Sequence, residues 1–350
     1  MNERRVSRKV QVGSVFIGGD APITVQSMLN VPAHNIADSV CQAQKLEAAG
    51  CQIIRAAVPD KDAVPLIAAL KEAVRIPVVA DVHFDYRIAL ECAAAGVDKI
   101  RINPGNIGSK DRVAAVVKAC RAHGIPIRIG VNSGSLEKDI LAKYGSATGE
   151  ALAESVMRHV ALLEEQDFYD IVLSIKSSDV RTMIDAYTRV AQICDYPLHL
   201  GVTEAGTYKM GLLKSAVGIG ALLTQGIGDT IRVSLTDDPL REVEAGFDIL
   251  RALNLARDTP RLVSCPTCGR TQIDLISLAK EVELRLKDVH KSITVAVMGC
   301  AVNGPGEASA ADIGVAGGDG CALLFKKGRI LYKVPEDRVV DALMEEIDKM

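Results

Sequence analysis

Short apolar runs alternate with longer amphipathic, alanine-rich segments between residues 23 and 254. The runs are rich in Val and Ile, which is typical of buried strands, whereas the longer segments repeat apolar residues at helical spacing. Gly or Pro often separates a predicted helix from the next strand, as at Gly50, Pro77 and Gly96. The predicted strands cover residues 23–28, 53–58, 77–82, 99–103, 127–132, 171–176, 198–203 and 231–235.

Strands that alternate with helices require a parallel sheet with right-handed crossovers. Eight such units favour a (β/α)8 TIM barrel. A doubly wound sheet is the alternative, but no G-x-G-x-x-G sequence follows the first predicted strand. The predicted helices include residues 36–49, 61–74, 109–122, 150–165, 178–194, 209–225 and 238–254.

The pattern differs at both ends of this repeat. Residues 1–20, with VQVGSVFIGG, predict a β-hairpin, and residues 256–262 resemble a linker. After the linker, two helices and three or four strands predict a small α+β domain. We therefore expect a barrel domain over 1–258, including the hairpin, and a second domain over 259–350.

Positive charges recur in the predicted barrel strands, although buried parallel strands are normally apolar. For any single cation, an ion pair with a neighbouring carboxylate is an equally good interpretation. As a set, the cations outnumber the candidate counter-charges Asp81 and Glu204, and barrel strands end at one common mouth. Repulsion among them predicts a substrate with more than one phosphate. The five cations are Arg55, Arg101, Arg128, Lys176 and Arg232.

Other polar residues lie at the same predicted strand ends. Asn132 and Ser234 are candidates for neutral hydrogen bonds, and Glu204 lies in the loop sequence GVTEAG. We interpret His83 and His199 first as hydrogen-bonded strand-end residues and only second as acid–base groups. The segment 133–149 predicts a long loop of the kind that forms lids.

Four residues of the second domain form a candidate metal site. Cys265 and Cys268 form a C-x-x-C pair, and Cys300 and Glu307 lie in MGCAVNGPGEA. Structural zinc, an iron–sulfur cluster and no metal all remain possible, since ligand softness does not separate zinc from iron–sulfur. Cys321 is ambiguous. The remaining cysteines are interpreted as small core residues, namely Cys41, Cys51, Cys92, Cys120 and Cys194.

Composition excludes several classes of function. The net charge is −3, there is no Trp, and Phe and Tyr are few, which argues against a nucleic-acid-binding protein. No apolar run reaches the roughly 20 residues of a membrane span. The first residues, MNERRVSRKVQVGSV, lack the apolar core of a signal peptide, so the expected location is cytoplasmic.

Nine short motifs along nearly the whole chain resemble bacterial 4-hydroxy-3-methylbut-2-enyl diphosphate synthases of the methylerythritol phosphate route. This resemblance implies a TIM barrel followed by a cluster domain like those of nitrite and sulfite reductases. It also implies a [4Fe-4S] cluster on Cys265, Cys268, Cys300 and Glu307. The motifs are VQSM, ADVHFD, KIRINPGN, IRIGVNSGSL, SIKSS, LGVTEAG, IRVSLT, SCPTCGR and GCAVNGPGEA.

The same resemblance implies the reaction. The substrate would be 2-C-methyl-D-erythritol 2,4-cyclodiphosphate, reduced by two electrons from flavodoxin or ferredoxin. The strand cations, with Asn132 and Ser234, would bind the substrate, and Glu204 would deliver a proton or orient the leaving hydroxyl. Asp81 and His83 are second candidates for that catalytic role.

The resemblance further implies a head-to-tail homodimer, and chain geometry agrees. Seven linker residues reach at most about 25 Å, and the last barrel helix is itself about 25 Å long. The linker leaves from the barrel bottom, so a cluster domain at the mouth would come from a second subunit. Two alternatives without a redox role are a phosphate-binding barrel enzyme with structural zinc and a non-enzymatic zinc-ribbon protein.

Overall fold

The computed structural model describes residues 3–256, 259–300, 306 and 308–350. The chain divides into two compact units, residues 1–253 and 254–350. None of the described helices is long and apolar enough to cross a membrane.

The first unit opens with a hairpin of β1 (Val10–Val12) and β2 (Val15–Ile17). Val10, Val12 and Ile17 are buried against Ile53 and Val79 and against Val172 of the barrel. These three barrel residues lie at or near the starts of their strands. The hairpin therefore closes the amino-terminal end of the barrel with an apolar plug, as its alternating sequence predicts.

Eight parallel strands form the barrel in the described residues. Neighbouring strands pair in sequence order, and an isolated parallel bridge between Leu173 and Leu198 closes the ring. The predicted TIM barrel is confirmed. The strands are β3 (Thr24–Met28), β4 (Ile53–Ala57), β5 (Val78–Asp81), β6 (Lys99–Ile102), β7 (Ile127–Asn132), β8 (Ile171–Lys176), β9 (His199–Leu200) and β10 (Thr230–Ile231).

The last two barrel strands are shorter than the apolar runs predicted. The N–H of Arg232 still donates to the carbonyl of Leu200, but beyond it the N–H of Leu235 donates to Glu242 and that of Thr236 to the carbonyl of Gly206. The chain beyond Leu200 comes so close to Arg232 that a Cβ at Gly201 would lie 2.8 Å from the Arg232 carbonyl oxygen. These segments thus form loops at the mouth, although their apolar residues predict strands.

Helices surround the strands, and several begin at an acidic cap, as at Asp179, whose side chain accepts from the N–H of Thr182. The helices are α1 (Ile36–Ala48), α2 (Pro65–Ala73), α3 (Tyr86–Ala94), α4 (Pro104–Ile107), α5 (Lys110–His123), α6 (Lys138–Tyr144), α7 (Gly149–Glu164), α8 (Val180–Ile193), α9 (Tyr208–Leu223) and α10 (Pro239–Ala252).

The expectation of a long loop over 133–149 is wrong. The segment contains α6, and two ion pairs tie that helix to α7: Arg158–Asp139 at 2.7 Å and Lys143–Glu154 at 2.6 Å. Its apolar residue Ile140 is fully buried. The sequence predicts a loop here because the segment is rich in polar residues. In the structure, several of these residues pair with a neighbouring helix.

The second unit is a sheet with helices packed on one face. Strands β11 to β13 are parallel, and β14 and β15 are antiparallel to their predecessors. Leu324, Val297, Leu286 and Leu343 belong to the core between sheet and helices. The elements are β11 (Arg261–Ser264), α11 (Leu275–Leu286), β12 (Thr294–Met298), β13 (Ile313–Gly318), β14 (Cys321–Lys326), β15 (Arg329–Pro335) and α12 (Val339–Asp348).

The described part of this sheet has five strands, one more than the most that the sequence predicted. The extra strand, β11, begins inside the predicted linker 256–262, of which residues 257 and 258 lie outside the described residues. Its four residues are half-buried or exposed, so no apolar run marked it. It nevertheless pairs in register with β12, from Arg261 opposite Thr294 to Ser264 opposite Val297.

Candidate active site

The carboxyl ends of the barrel strands hold most of the predicted site residues. Arg55 lies on β4, Arg101 on β6, and Asp81, Asn132 and Lys176 are the last residues of their strands. Arg232 and Ser234 follow β10 directly. Because all eight strands are parallel, these side chains meet at one mouth.

Asp81 is the central anion of this mouth. Its Oδ1 accepts from Nη1 of Arg101 at 3.1 Å, and its Oδ2 lies 3.6 Å from Nε of Arg55. Nε2 of His83 is 3.7 Å from the same Oδ2. Burial on its own raises the pKa of Asp81, but Arg55 and Arg101 lower it more, so the net pKa lies well below its usual range. The carboxylate therefore stays ionised and fixes both guanidinium groups.

Gly130 on β7 makes room for Arg101. The Nη2 of Arg101 donates to the carbonyl of Gly130 at 3.1 Å. A Cβ at position 130 would lie 2.5 Å from Arg101 Nε. A glycine is needed here because the guanidinium lies against the neighbouring strand.

Glu242 on α10 is a site residue that the sequence argument missed. Its carboxylate lies 3.2 Å from Nη2 of Arg232, and it accepts from the hydroxyl of Ser27 and the N–H of Leu235. It is 3% exposed. A Glu near the start of a helix ordinarily faces solvent, so this inward position was not predictable from the residue pattern. The mouth thus has a third carboxylate beside Asp81 and Glu204.

A cavity of about 320 Å³, open solvent included, lies at the mouth. Four of the seven predicted substrate-binding residues line it: Arg55, Lys176, Arg232 and Ser234. Its other walls come from the ends of β8 and β9 and the segment after β9. These remaining lining residues are Ser174, His199, Gly201, Val202 and Thr203.

Three predicted residues are absent from this lining. Arg101 is held against Asp81 and Gly130, whereas Arg128 and Asn132 lie on β7. The expectation that Arg128 lies at a strand end is wrong, because it is the second of six residues in β7 and is fully buried. Within the described part of the chain, its three guanidinium nitrogens have no hydrogen-bond partner.

Lys176 differs electrostatically from its arginine neighbours. Burial, followed by the charges of Arg55 and Arg101, lowers the pKa of Lys176 to about 6. Burial also lowers the pKa of Arg55, to about 9, although Asp81 opposes that shift. Near neutral pH the free protein therefore holds Arg55 charged and Lys176 largely neutral.

Glu204 has an unusual backbone. Its φ is +52°, in the left-handed region, where a residue with a Cβ carries a cost of roughly 1–2 kcal/mol. The residue is exposed and follows Thr203, which lines the cavity. Such strain persists where the surrounding structure imposes it, often at functional sites.

Both candidate histidines titrate below their usual range. Burial and the charge of Arg101 lower the pKa of His83, although Asp81 opposes them. Burial lowers the pKa of His199 well below its usual value, with Arg128 and Lys99 adding to the effect. Both rings are therefore neutral near pH 7. His199 is buried as the first residue of β9, and its Nδ1 lies 3.4 Å from Oγ1 of Thr230.

The candidate metal ligands lie past two neighbouring strand ends of the second unit. Cys265 follows β11, and Cys300 is two residues beyond β12, the parallel neighbour of β11. The N–H of Gly299 donates to Sγ of Cys265 at 3.2 Å. Hydrogen bonds from Arg270 lower the pKa of the exposed Cys268 thiol. Glu307 lies outside the described residues.

This arrangement suits thiolate ligation of a cluster. Hydrogen bonds to the sulfur atoms and a lowered thiol pKa both favour the thiolate that binds iron. Among the described residues, no three His, Cys, Asp or Glu side chains converge closely enough to hold a single metal ion.

Fold and sites together define a two-unit protein: a TIM barrel with a cationic mouth, followed by a cysteine-bearing sheet. The GcpE TIM-barrel domain family matches residues 7–247, and the GcpE protein C-terminal domain family matches residues 261–349. The chain belongs to the GcpE family.

Curated relatives match the chain over its length. It is 58% identical over 348 residues to a protein of Clostridium acetobutylicum, covering 99% of this chain and 100% of the relative. Identity is 56% to a protein of Clostridium tetani, with 99% of each chain covered. The identity to a protein of Geobacillus thermodenitrificans is 54%, with 99% of this chain and 93% of the relative covered. All three are named 4-hydroxy-3-methylbut-2-en-1-yl diphosphate synthase (flavodoxin).

Solved structures support the barrel alone. The dihydropteroate synthase of Stenotrophomonas maltophilia superposes with a TM-score of 0.52 at 15% identity, over 71% of this chain and 97% of that one. The dihydropteroate synthase of Burkholderia cenocepacia superposes with a TM-score of 0.51, also at 15% identity, over 71% of this chain and 96% of that one. At this identity the similarity concerns the fold and not the reaction.

Proposed function

We infer that the chain is a 4-hydroxy-3-methylbut-2-enyl diphosphate synthase, an oxidoreductase of isoprenoid precursor biosynthesis. It reduces 2-C-methyl-D-erythritol 2,4-cyclodiphosphate. Two electrons and two protons open the ring at a carbon–oxygen bond and remove a hydroxyl as water, which leaves the linear allylic diphosphate. The observation that carries this inference is a mouth cavity lined by Arg55, Lys176 and Arg232 on a chain that shares more than half its residues with synthases of that name.

The barrel mouth binds the diphosphate. Arg55 and Arg232 present guanidinium groups that suit phosphate oxygens, and Lys176 adds a third donor to the same cavity. Ser234 contributes a neutral hydroxyl. Arg101, Arg128 and Asn132 support this set from inside the barrel wall, where Arg128 adds positive potential beneath the cavity floor.

Asp81 acts as a positioning residue. Its ionised carboxylate holds Arg55 and Arg101 in place, so it is a poor proton donor. His83 is neutral near pH 7 and lies beside Asp81. Glu204 remains our candidate for delivering a proton to the leaving hydroxyl, because it is carried on a strained turn next to the cavity.

Cys265, Cys268, Cys300 and Glu307 would hold a [4Fe-4S] cluster. When bound, the cluster supplies single electrons at low potential, which a reductive carbon–oxygen cleavage requires. Three thiolates with one carboxylate leave a harder, more easily displaced ligand on one iron. This donor set suits a catalytic cluster, whereas a purely structural zinc module would gain nothing from it.

Flavodoxin or ferredoxin would deliver the electrons. The relatives name flavodoxin as their donor. Anaerobic protein should convert the cyclic diphosphate when reduced flavodoxin is present and should not do so without an electron donor. Product formation without any reductant, or no consumption of the cyclic diphosphate by cluster-loaded protein, would refute the reaction.

The active form would be a head-to-tail homodimer in which the barrel of one subunit works with the cysteines of the other. A mixing experiment tests this arrangement. Arg55→Met and Cys265→Ser protein are each expected to be inactive or strongly impaired. After subunits exchange, a mixed dimer should regain one intact site and up to about half of the wild-type activity per dimer. If the mixture stays as inactive as its components while mixed dimers form, the two sites lie within one subunit.

A further inference from the structure

Three polar side chains meet at the buried side of α7, outside the mouth cavity: Glu137, Ser155 and His159. Ser155 and His159 are 1% and 4% exposed. Oγ of Ser155 donates to Oε2 of Glu137 at 2.7 Å, and Nε2 of His159 lies 3.2 Å from Oε1 of the same carboxylate. A helix that only packs on a barrel carries apolar residues at such positions, because a buried polar group costs free energy.

The imidazole of His159 is neutral near pH 7. Burial lowers its pKa, and the charge of Glu137 only partly opposes that shift. A neutral ring presents its N–H to a carboxylate, and not its lone pair, so the proton is assigned to Nε2. The two groups are close without being aligned as a hydrogen bond, and no donor in the described part of the chain competes with His159 for Oε1 of Glu137.

His159 contacts both of the segments that follow β6 and β7 at the mouth. Glu137 comes shortly after the turn Ser133–Ser135, which follows β7. Gly105 lies in α4, which follows β6. A Cβ at Gly105 would lie 3.2 Å from Cε1 of His159, so the backbone of α4 lies directly against the ring. One buried residue of α7 therefore supports two mouth segments.

These two segments carry asparagine side chains. Asn103 joins the segments, because its Oδ1 accepts from the N–H of Gly105 at 3.1 Å and its Nδ2 donates to Oγ of Ser135 at 3.5 Å. Asn132 ends β7 and begins the second segment, and its buried Oδ1 has no hydrogen-bond partner among the described residues. The contact of Glu137 with α7 fixes the other end of that segment.

We propose that His159 is a positioning residue: through Glu137 and Gly105 it holds the segments after β6 and β7, and with them Asn132, in the arrangement that the diphosphate binds. The identity of that ligand rests on the proposed function. A mouth whose segments are already ordered loses less conformational entropy on binding. Because His159 is remote from the mouth cavity, it acts on affinity and not on the chemical step.

Hydrogen exchange of the cluster-loaded protein tests the support itself. His159→Leu removes the N–H that faces Glu137, so amide exchange in 103–107 and 133–137 should become faster by on the order of tenfold. His159→Gln can still present an N–H and should exchange like the wild type. Val160→Ala, at another buried position of α7, is the control for lost stability and should not change these segments selectively. Wild-type exchange in His159→Leu, or equal acceleration in Val160→Ala, would overturn the proposal.

Gly105→Ala perturbs the same contact from the other side and leaves α7 intact. The φ of Gly105 is outside the left-handed region, so the added Cβ changes only the contact with the His159 ring and its neighbours. Exchange in 103–107 should become faster in this variant as well. This variant keeps the proposal testable if His159→Leu does not fold, and wild-type exchange in Gly105→Ala would contradict the close packing of α4 on the ring.

Binding of inorganic pyrophosphate, measured by calorimetry, tests the link to the mouth. Affinity should fall roughly 5- to 10-fold in His159→Leu and Gly105→Ala and stay at the wild-type value in His159→Gln and Val160→Ala. The KM for the cyclic diphosphate should rise by the same factor with kcat nearly unchanged. Unchanged affinity in both His159→Leu and Gly105→Ala would show that the polar cluster only stabilises α7. Exchange and pyrophosphate binding need no turnover, so a failed reaction and a failed positioning role are distinguishable.

Discussion

The barrel mouth and the cysteine-bearing end of the second unit hold their functional groups in different ways. At the mouth, Arg55, Asp81 and Arg101 lie on the strands themselves and are at most 3% exposed. In the second unit, Cys265, Cys268 and Cys300 follow their strands on connecting segments, and Cys268 is exposed. The mouth is therefore arranged before its ligand binds, whereas the proposed cluster site would depend on its metals to fix the ligands.

Removal of a cysteine ligand should have the largest effect. Cys265→Ser replaces a soft thiolate by a hard hydroxyl, so the protein should lose iron and its activity should fall by at least roughly 10³-fold. Iron content and anaerobic turnover measure both losses. Cys41, which the sequence suggested was a core residue, is in fact exposed on α1, so Cys41→Ser is the matched control and should keep both. Full iron content in Cys265→Ser would remove Cys265 from the ligand set.

Substitution of Glu204 should have the second-largest effect. Glu204→Gln keeps the shape but cannot deliver a proton, so kcat should fall by about 10²–10⁴ with little change in KM. Glu204→Gly should lose the same activity yet unfold at the same or a higher temperature, because glycine adopts a φ of +52° without strain. A Glu204→Gln enzyme with wild-type kcat would assign the proton to another group.

The loss of one phosphate-binding cation should be smaller. Arg55→Met should lower kcat/KM roughly 10- to 100-fold, the equivalent of one charge-assisted hydrogen bond. Steady-state kinetics with the cyclic diphosphate measures the change. Arg189→Met, on the outer helix α8, removes the same charge far from the mouth cavity and should leave kcat/KM unchanged. Equal kinetics for both variants would exclude Arg55 from the substrate site.

The smallest effect concerns pH. The pKa of Lys176 is lowered to about 6 in the free protein, and a bound diphosphate favours its charged form. The affinity for the cyclic diphosphate should therefore be highest below about pH 6. It should fall as pH rises above this value, by up to about tenfold per pH unit. Both phosphates of the cyclic substrate stay ionised throughout this range.

The KM measured from about pH 5.5 to about pH 8.5 reports this loss. Lys176→Met should flatten the profile, and His83→Gln should keep its slope although His83 also faces the mouth. An unchanged profile in Lys176→Met would assign the titration to a different residue.

The regular part of the barrel was predictable because its physics is local. Each buried strand is a continuous apolar run, and each helix repeats apolar residues at its own period. The ends of β9 and β10 were not predictable. Val202 and Val233 have the residue type of a strand, but the N–H of Thr203 donates to the carbonyl of Ser177 and the N–H of Leu235 donates to Glu242. The α6 helix was missed because the segment is short and mostly polar, and its contacts are made with α7, where Asp139 pairs with Arg158 and Lys143 pairs with Glu154.

The candidate site was predictable where a residue type conflicted with its setting. Arginines in apolar strands, and cysteines in glycine-rich loops, stand out in the sequence alone. Glu242 did not, because a carboxylate on a helix is ordinary until the fold turns it inward. The depth of Arg128 was predictable, since the predicted strand 127–132 has the bounds of β7 and already places Arg128 second of its six residues.

The central claim is that this chain joins a diphosphate-binding barrel to a redox cluster, and metal analysis tests it most directly. Protein purified without oxygen should contain roughly four iron and four acid-labile sulfide per chain, with little zinc. About one zinc per chain without iron or sulfide would contradict the account and leave a phosphate-binding barrel with a structural zinc module.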